Sequence, residues 1–313
     1  MSQIGNSREQ GPLPLPSRRP DEEFQTLSSA IRVEFAARSH PGGRPTNEDH
    51  YLILEMGRHQ ATIATSLPAG EVPARFDEAG YGIAVADGMG AGETGEKASR
   101  LAISTLAYLA LHYSKWNVRI DARTADEVMA RGLRYYRSID ERVTEASLES
   151  PGLTGMGTTL TVAYIASDAL FIAHVGHSRA YLLRNRMLTN LTRDQTLAQH
   201  LDAGGRAPVD LAAHDLGHIL TDAIGGHAGA PSIQISQFRL EADDSLMLCT
   251  NGLTDVVDDE SSATILVQSQ TLDERCGALV DLALARGATD NVTAVLASYS
   301  IPGGPVRGSV THL

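Results

Sequence analysis

Residues 81–92 read Tyr-Gly-Ile-Ala-Val-Ala-Asp-Gly-Met-Gly-Ala-Gly, and the rest of the chain is read outward from them. Tyr81, Ile83 and Val85 alternate with small residues, the period-two pattern of a buried β-strand. The strand is expected to stop at Asp87-Gly88, with Gly90 and Gly92 just beyond. A carboxylate at the exposed end of a buried strand, next to glycine, has a backbone that can fold closely around an ion or a phosphate. Taken alone, Asp-Gly is equally ordinary turn chemistry. A helical run is expected over 93–116, with Ala98, Leu101, Ala102, Leu106 and Leu109 at helical spacing.

Upstream, residues 1–30 are rich in Pro, Ser and charge and are expected to form a flexible tail, with order beginning near Ile31. Ile31, Val33, Phe35 and Ala37 alternate as one strand face, and Tyr51–Leu54 resume strand character. Residues 57–80 read as a hairpin or surface insertion. A second helix is expected over 124–149, with Val128, Leu133, Tyr136, Ile139 and Val143 on one face. Glu127, Arg131, Glu141 and Glu145 fall on its solvent side.

Downstream, short strands near 160–164, 170–175 and 180–183 suggest one antiparallel meander. Residues 194–227 are polar and only loosely helical. Strands return at Ile233–Leu240 and Leu246–Cys249. A last helix, 272–286, carries a capping box in Thr271 and Glu274 and a stop at Gly287. A closing strand follows from Val292, and 301–313 read as a flexible tail around one domain at 31–300.

The bulk properties narrow the function. With 313 residues, 42% of them hydrophobic, the chain can bury a large core. A net charge of −12 offers a nucleic-acid backbone no basic stripe. Cys249 and Cys276 lie on apolar patterns at no ligand spacing, as buried thiols of a reducing compartment do. No apolar run reaches a membrane span and no signal-peptide pattern opens the chain, so a cytoplasmic location is expected.

Four apolar strand ends carry side-chain oxygens: Asn47-Glu48-Asp49, Asp87-Gly88, Asn251-Gly252 and Asp290-Asn291. If they converge, the cluster is built from oxygen alone, and hard oxygen donors select Mg2+ or Mn2+ over zinc or copper. Two such ions can generate hydroxide and stabilise an in-line displacement at phosphorus. Arg44, beside the acidic pair, has the planar fork that grips phosphoryl oxygens.

A longer series of motifs makes this specific. In order they are Arg44-Pro-Thr-Asn-Glu-Asp49, Val85-Ala-Asp-Gly-Met-Gly90, Gly155-Met-Gly-Thr-Thr159 and Val175-Gly-His-Ser-Arg-Ala-Tyr181. Thr192-Arg-Asp-Gln-Thr196, Leu220-Thr-Asp-Ala-Ile-Gly225, Leu248-Cys-Thr-Asn-Gly-Leu253 and Asp290-Asn-Val-Thr293 follow. In this order and spacing the chain resembles the metal-dependent protein phosphatase family (PPM, type 2C) in its bacterial form. The resemblance implies an α+β fold, a four-layer αββα sandwich of two antiparallel sheets flanked by helices. It implies a serine/threonine phosphatase acting by direct attack of water activated at a dinuclear Mn2+ or Mg2+ centre, without a covalent enzyme intermediate.

By position, Asp87 would bridge both metals, Gly88 would lend its carbonyl, and Asp290 and Asn251 would bind the first metal. Glu48 and Asp49 would hold the waters of the metals, and Arg44 the substrate phosphate. Arg44, Asp87 and Asp49 are thus the candidate catalytic residues, and 194–220 the flap over substrate. The turn Gly155–Thr159 is read as structural. The implied substrates are phosphorylated proteins, products of a serine/threonine kinase, and the implied state is a monomer binding neither nucleic acid nor membrane.

Two departures stand out. The family has aspartate where this chain has His177 and Asn251, both normally ligands of a third metal, which should be absent or changed here. Asparagine removes one negative charge, so the dinuclear centre should be weaker. His177 reads as a buried, hydrogen-bonded histidine rather than a nitrogen ligand. Met89 stands where some relatives carry a histidine acid. The competing reading is a catalytically impaired scaffold or phosphoprotein-binding module, supported by Asn251 and His177.

Overall fold

The alternating stretch becomes β3 (Arg75–Met89), a 15-residue strand in a computed structural model that describes residues 31–301 apart from 91–92, 115–119, 204–215 and 227–228. The tails, Gly92, Trp116 and the middle of the 194–220 segment lie outside the described residues. Strand β3 pairs antiparallel with β2 (Asp49–Ala61) on one edge and with β5 (Leu160–Ala166) on the other. Residues 57–80 are therefore a long hairpin, as expected.

Both faces of β3 are covered, which explains why Ile83, Ala84, Val85 and Ala86 are all apolar rather than alternating with polar residues. Ile83 and Val85 join the core between the two sheets. Ala84 and Ala86 face Ala98 and Ala102 of α1 (Thr94–Tyr113), where small side chains let helix and sheet approach closely.

One sheet runs β2-β3-β5-β6-β9, with β6 (Ala169–Val175), β9 (Gln234–Arg239) and the short β4 (Gly157–Thr158) on the end of β3. The other runs β1-β11-β10-β7-β8, from β1 (Arg32–His40), β11 (Val292–Ser300), β10 (Ser245–Cys249), β7 (Arg179–Arg184) and β8 (Met187–Asn190). Helices α1 and α2 (Ala122–Glu149) cover the first sheet. After α3 (Leu197–Ala203), the helices α4 (Asn251–Thr254), α5 (Asp259–Leu266) and α6 (Leu272–Ala285) follow, and residues of all three join the core that covers the second sheet. This is the expected αββα sandwich. Among the described residues no helix is long and apolar enough to cross a membrane.

Three expectations need correction. The strands after 160 do not form one meander: β5 and β6 pair, but β7 leaves for the other sheet and pairs with β10 and β8. The crossing is made at Gly176, whose φ of +107° is open to glycine and strained for other residues. Arg131 does not face solvent but is 8% exposed on α2. It lies three residues after buried Val128, so it falls on the packed stripe, where a long aliphatic stem is tolerated. Asn251-Gly252, read as a strand end, instead opens α4, and α5 follows it, capped by Asp258 through Ser261 N. The α6 capping box and the stop at Gly287, φ +81°, are as expected.

Candidate metal centre

Antiparallel register places Asp49, at the start of β2, opposite Asp87, near the end of β3. The β1–β11 pairing ends at His40 and Val292, so the loops 41–48 and 288–291 run side by side. Asn291 ties them: its Nδ2 donates to Pro41 O and Thr46 O, both at 2.8 Å, and its Oδ1 accepts from Glu48 N at 2.7 Å. Gly42 permits this closeness, because a Cβ there would lie 1.9 Å from Asp290 O. At the end of β10, Thr250 Oγ1 donates to Asp49 Oδ2 at 2.7 Å and accepts from Thr293 N at 3.0 Å. The four oxygen-bearing strand ends are therefore joined by hydrogen bonds.

Asp87 is held by its backbone. Its N–H donates to Thr159 Oγ1 at 3.0 Å, and its carbonyl accepts from Thr159 N at 2.9 Å and from Thr158 Oγ1 at 2.8 Å. Thr159 Oγ1 in turn meets Ser178 Oγ at 2.6 Å. The turn Gly155–Thr159, read as merely structural, is thus the clamp that positions Asp87. Its signal was the Thr-Thr pair, two hydroxyls entering a buried strand where each needs a partner. Thr250 was missed as well, because its partner is distant in sequence.

Gly88 sits against the start of α1: a Cβ there would lie 2.1 Å from Gly95 O. Ser99 of the same helix donates to Glu48 O at 2.5 Å, so α1 is fastened directly to the acidic loop.

The side chains are crowded. Burial raises the Asp49 and Asp87 carboxyls, and the Asp87 carboxyl is raised further by Asp49 and Asp290. Burial also raises Glu48, against the pull of Arg44. Arg44 forms a two-point pair with Asp290, Nε to Oδ1 at 3.0 Å and Nη2 to Oδ2 at 3.1 Å. Asn251 is 5% exposed and donates through Nδ2 to Asp255 Oδ2 at 3.1 Å. His177 is 9% exposed with Nδ1 3.8 Å from Asp87 Oδ2, and burial pushes its pKa down to about 4, so the ring is neutral at pH 7.

Three buried polar atoms here have no hydrogen-bond partner: Asp49 Oδ1, Asn251 Oδ1 and His177 Nδ1. The expectation of a hydrogen-bonded histidine therefore fails at Nδ1. Each such atom costs on the order of 1–3 kcal/mol when left dry. A divalent cation answers both problems, since it gives the lone pairs a partner and lets adjacent carboxylates stay ionised. Among the described residues no three His, Cys, Asp or Glu side chains stand close enough to form a cage unaided. The Gly88 carbonyl and the Asn251 amide oxygen are further oxygen donors that could add to the carboxylates. The donor chemistry fits a hard cation, and the residues able to hold one are Asp87, Gly88, Asn251, Asp290, Glu48 and Asp49.

Two antiparallel sheets between helices, with carboxylates gathered at one end of the strands, place the chain in the αββα sandwich class. The chain belongs to the protein phosphatase 2C family, whose model matches residues 71–282. It is 36% identical over 216 residues to the serine/threonine protein phosphatase PstP of Mycobacterium tuberculosis, covering 69% of this chain and 40% of that protein's length. It is 32% identical over 215 residues to the serine/threonine phosphatase stp of Listeria monocytogenes, of which it covers 82%. Among solved structures, the catalytic domain of PstP in complex with two manganese ions superposes with a TM-score of 0.66 at 32% identity, over 86% of this chain and 99% of that one. The S. agalactiae serine/threonine phosphatase gives 0.68 at 26% identity, over 85% and 99%.

Proposed function

We propose that this chain is a Mn2+- or Mg2+-dependent protein serine/threonine phosphatase, hydrolysing phosphoserine and phosphothreonine left on proteins by a serine/threonine kinase. The observation that carries this reading is the set of unpartnered buried atoms, Asp49 Oδ1, Asn251 Oδ1 and His177 Nδ1, at the strand end where Asp87 lies. The relatives' names and the manganese-bound neighbour support it.

Asp87, the Gly88 carbonyl, Asn251 and Asp290 would hold two ions, with Glu48 and Asp49 ordering the surrounding water. When bound, the ions supply Lewis acidity, acidifying water and neutralising charge on the phosphoryl group. Arg44 orients the substrate: its fork, paired with Asp290 in this structure, is the right shape for two phosphoryl oxygens. Asp49 keeps one buried oxygen free to take a hydrogen bond or a proton from water. Water attacks phosphorus, the P–O ester bond breaks, and the alcohol leaves with a proton drawn from solvent, since Met89 offers none.

A cysteine nucleophile is disfavoured. Cys249 and Cys276 are fully buried, and burial pushes both thiols up to about 12, far from the reactive thiolate.

A second reading, a non-catalytic phosphoprotein-binding module, draws on Asn251, which is neutral where the family carries aspartate. Mn2+-dependent phosphate release from a phosphothreonine peptide separates the two. Turnover by this chain, abolished in Asp87→Ala, is the expected result. Turnover only in Asn251→Asp would favour the binding module.

A further inference from the structure

We infer that His177 donates its Nδ1 to a cation held by Asp87, so that the centre has a nitrogen ligand and takes first-row transition ions, Mn2+ included, in preference to Mg2+. This rests on the reading that Asp87 holds a metal.

Both neighbours of His177 are pinned. Gly176 N donates to Gln195 Oε1 and Gly176 O accepts from Gln195 N, each at 2.8 Å. A Cβ on Gly176 would stand 2.5 Å from Thr159 Cγ2, so the turn lies directly against the clamp that holds Asp87. On the other side, Ser178 Oγ meets Thr159 Oγ1 at 2.6 Å and Ser178 O accepts from Thr161 Oγ1 at 3.1 Å. One threonine thus fixes both the Asp87 backbone and the turn that presents the imidazole. A ring held this way has little freedom to find a partner elsewhere.

It has none at Nδ1. His177 is 9% exposed and its Nδ1 is unpartnered, 3.8 Å from Asp87 Oδ2. That separation is too long for a hydrogen bond. It is the right scale for two donors of one ion: ligands about 2.1 Å from a cation stand roughly 3.5 Å apart at the tetrahedral angle and wider at larger angles. Asn251 Oδ1, likewise buried and unpartnered, adds a neutral oxygen to the same end of the sheets.

The selectivity follows from these donors. Mg2+ wants near-ideal octahedral oxygen and gives up water reluctantly, whereas imidazole nitrogen suits first-row transition ions. With aspartate at 177 the centre would be an oxygen site open to either ion. With histidine it loses a negative charge, which penalises Mg2+, and gains a nitrogen that compensates only the transition metals.

The test uses the full chain loaded with Mn2+ at one equivalent, read by electron spin-echo envelope modulation for 14N coupled to the manganese. Calorimetric titrations with Mn2+ and Mg2+ run alongside on wild type, His177→Gln, His177→Asp and Asp87→Ala. The expected result is 14N modulation in wild type that is lost in both His177 variants. The preference for Mn2+ over Mg2+ should also fall by about tenfold or more in His177→Asp. His177→Gln retains a side chain of similar size, and its circular dichroism reports whether the turn survives. Bound Mn2+ without 14N modulation in wild type, or modulation persisting in a folded His177→Gln, overturns the inference and leaves the phosphatase reading standing. Mn2+ binding that is absent, or indifferent to Asp87→Ala, overturns both.

Discussion

Thr250 joins two strand ends with one hydroxyl, donating to Asp49 Oδ2 and accepting from Thr293 N, and it is fully buried. Thr250→Val keeps the shape and removes both bonds, leaving the Asp49 carboxylate without its Thr250 donor. Metal-free stability should fall by about 1–3 kcal/mol in urea denaturation, with part of the loss recovered in Mn2+. Asn251→Asp acts in the opposite direction on metal. It sets a carboxylate where Nδ2 now donates to Asp255 at 3.1 Å, so the metal-free chain should melt lower. The Mn2+-induced rise in Tm should grow, with affinity up by about tenfold for the added charge.

The carboxylates at this scale were legible in sequence, since an acid ending an apolar run stands out. Thr250, Thr158 and Thr159 were not. Their hydroxyls act on Asp49 and Asp87 from separations of 201, 71 and 72 residues, which no local pattern encodes.

Among the elements, β3 and α1 set the site, and they meet backbone to backbone at Gly88 and Gly95. Gly88→Ala would push a methyl to 2.1 Å from Gly95 O and 2.9 Å from Glu48 O, both backbone atoms that cannot swing aside. The helix start must retreat, moving Ser99 off Glu48. The expected outcome is a loss of about 1–3 kcal/mol in stability together with a weakened Mn2+ titration. An unchanged titration would place the α1 contact outside the metal centre.

Long elements were readable from period: α1, α2, α6 and the β2–β3 hairpin follow their apolar spacing. Helices α4 and α5, of 4 and 8 residues, are too short for a 3.6-residue period to emerge, and Asn251-Gly252 imitates a turn. Arg131 misled because charge was taken as exposure, although its position on the helix places it beside Val128.

For the whole molecule, the αββα order came from the series of motifs more than from periodicity. Alternation gives strands but does not say which sheet they join, and β7 crossed to the second sheet without any change in pattern. A buried group links this architecture to pH. His174 of β6 is fully buried on the strand face that Leu170 and Ile172 turn to the core between the sheets, its Nδ1 2.8 Å from Thr161 Oγ1, and burial pushes its pKa down to about 4. The unfolded chain, with an ordinary histidine near 6.5, takes up a proton that the folded chain refuses. Stability is therefore complete above pH 6.5 and is lost as pH falls through about 4, by on the order of 3 kcal/mol from this group. Urea midpoints at pH 7 and pH 5 should show the drop, and His174→Asn should reduce it.

The central claim is that Asp87 anchors a divalent-metal centre at the end of the sandwich. Anomalous diffraction at the manganese edge from crystals soaked in Mn2+ tests it most directly. Two peaks are expected, about 3.5–4 Å apart, sharing the Asp87 carboxylate and absent from Asp87→Ala crystals. Crystals of the intact chain with no peak against Asp87, or peaks only at surface carboxylates, would contradict it.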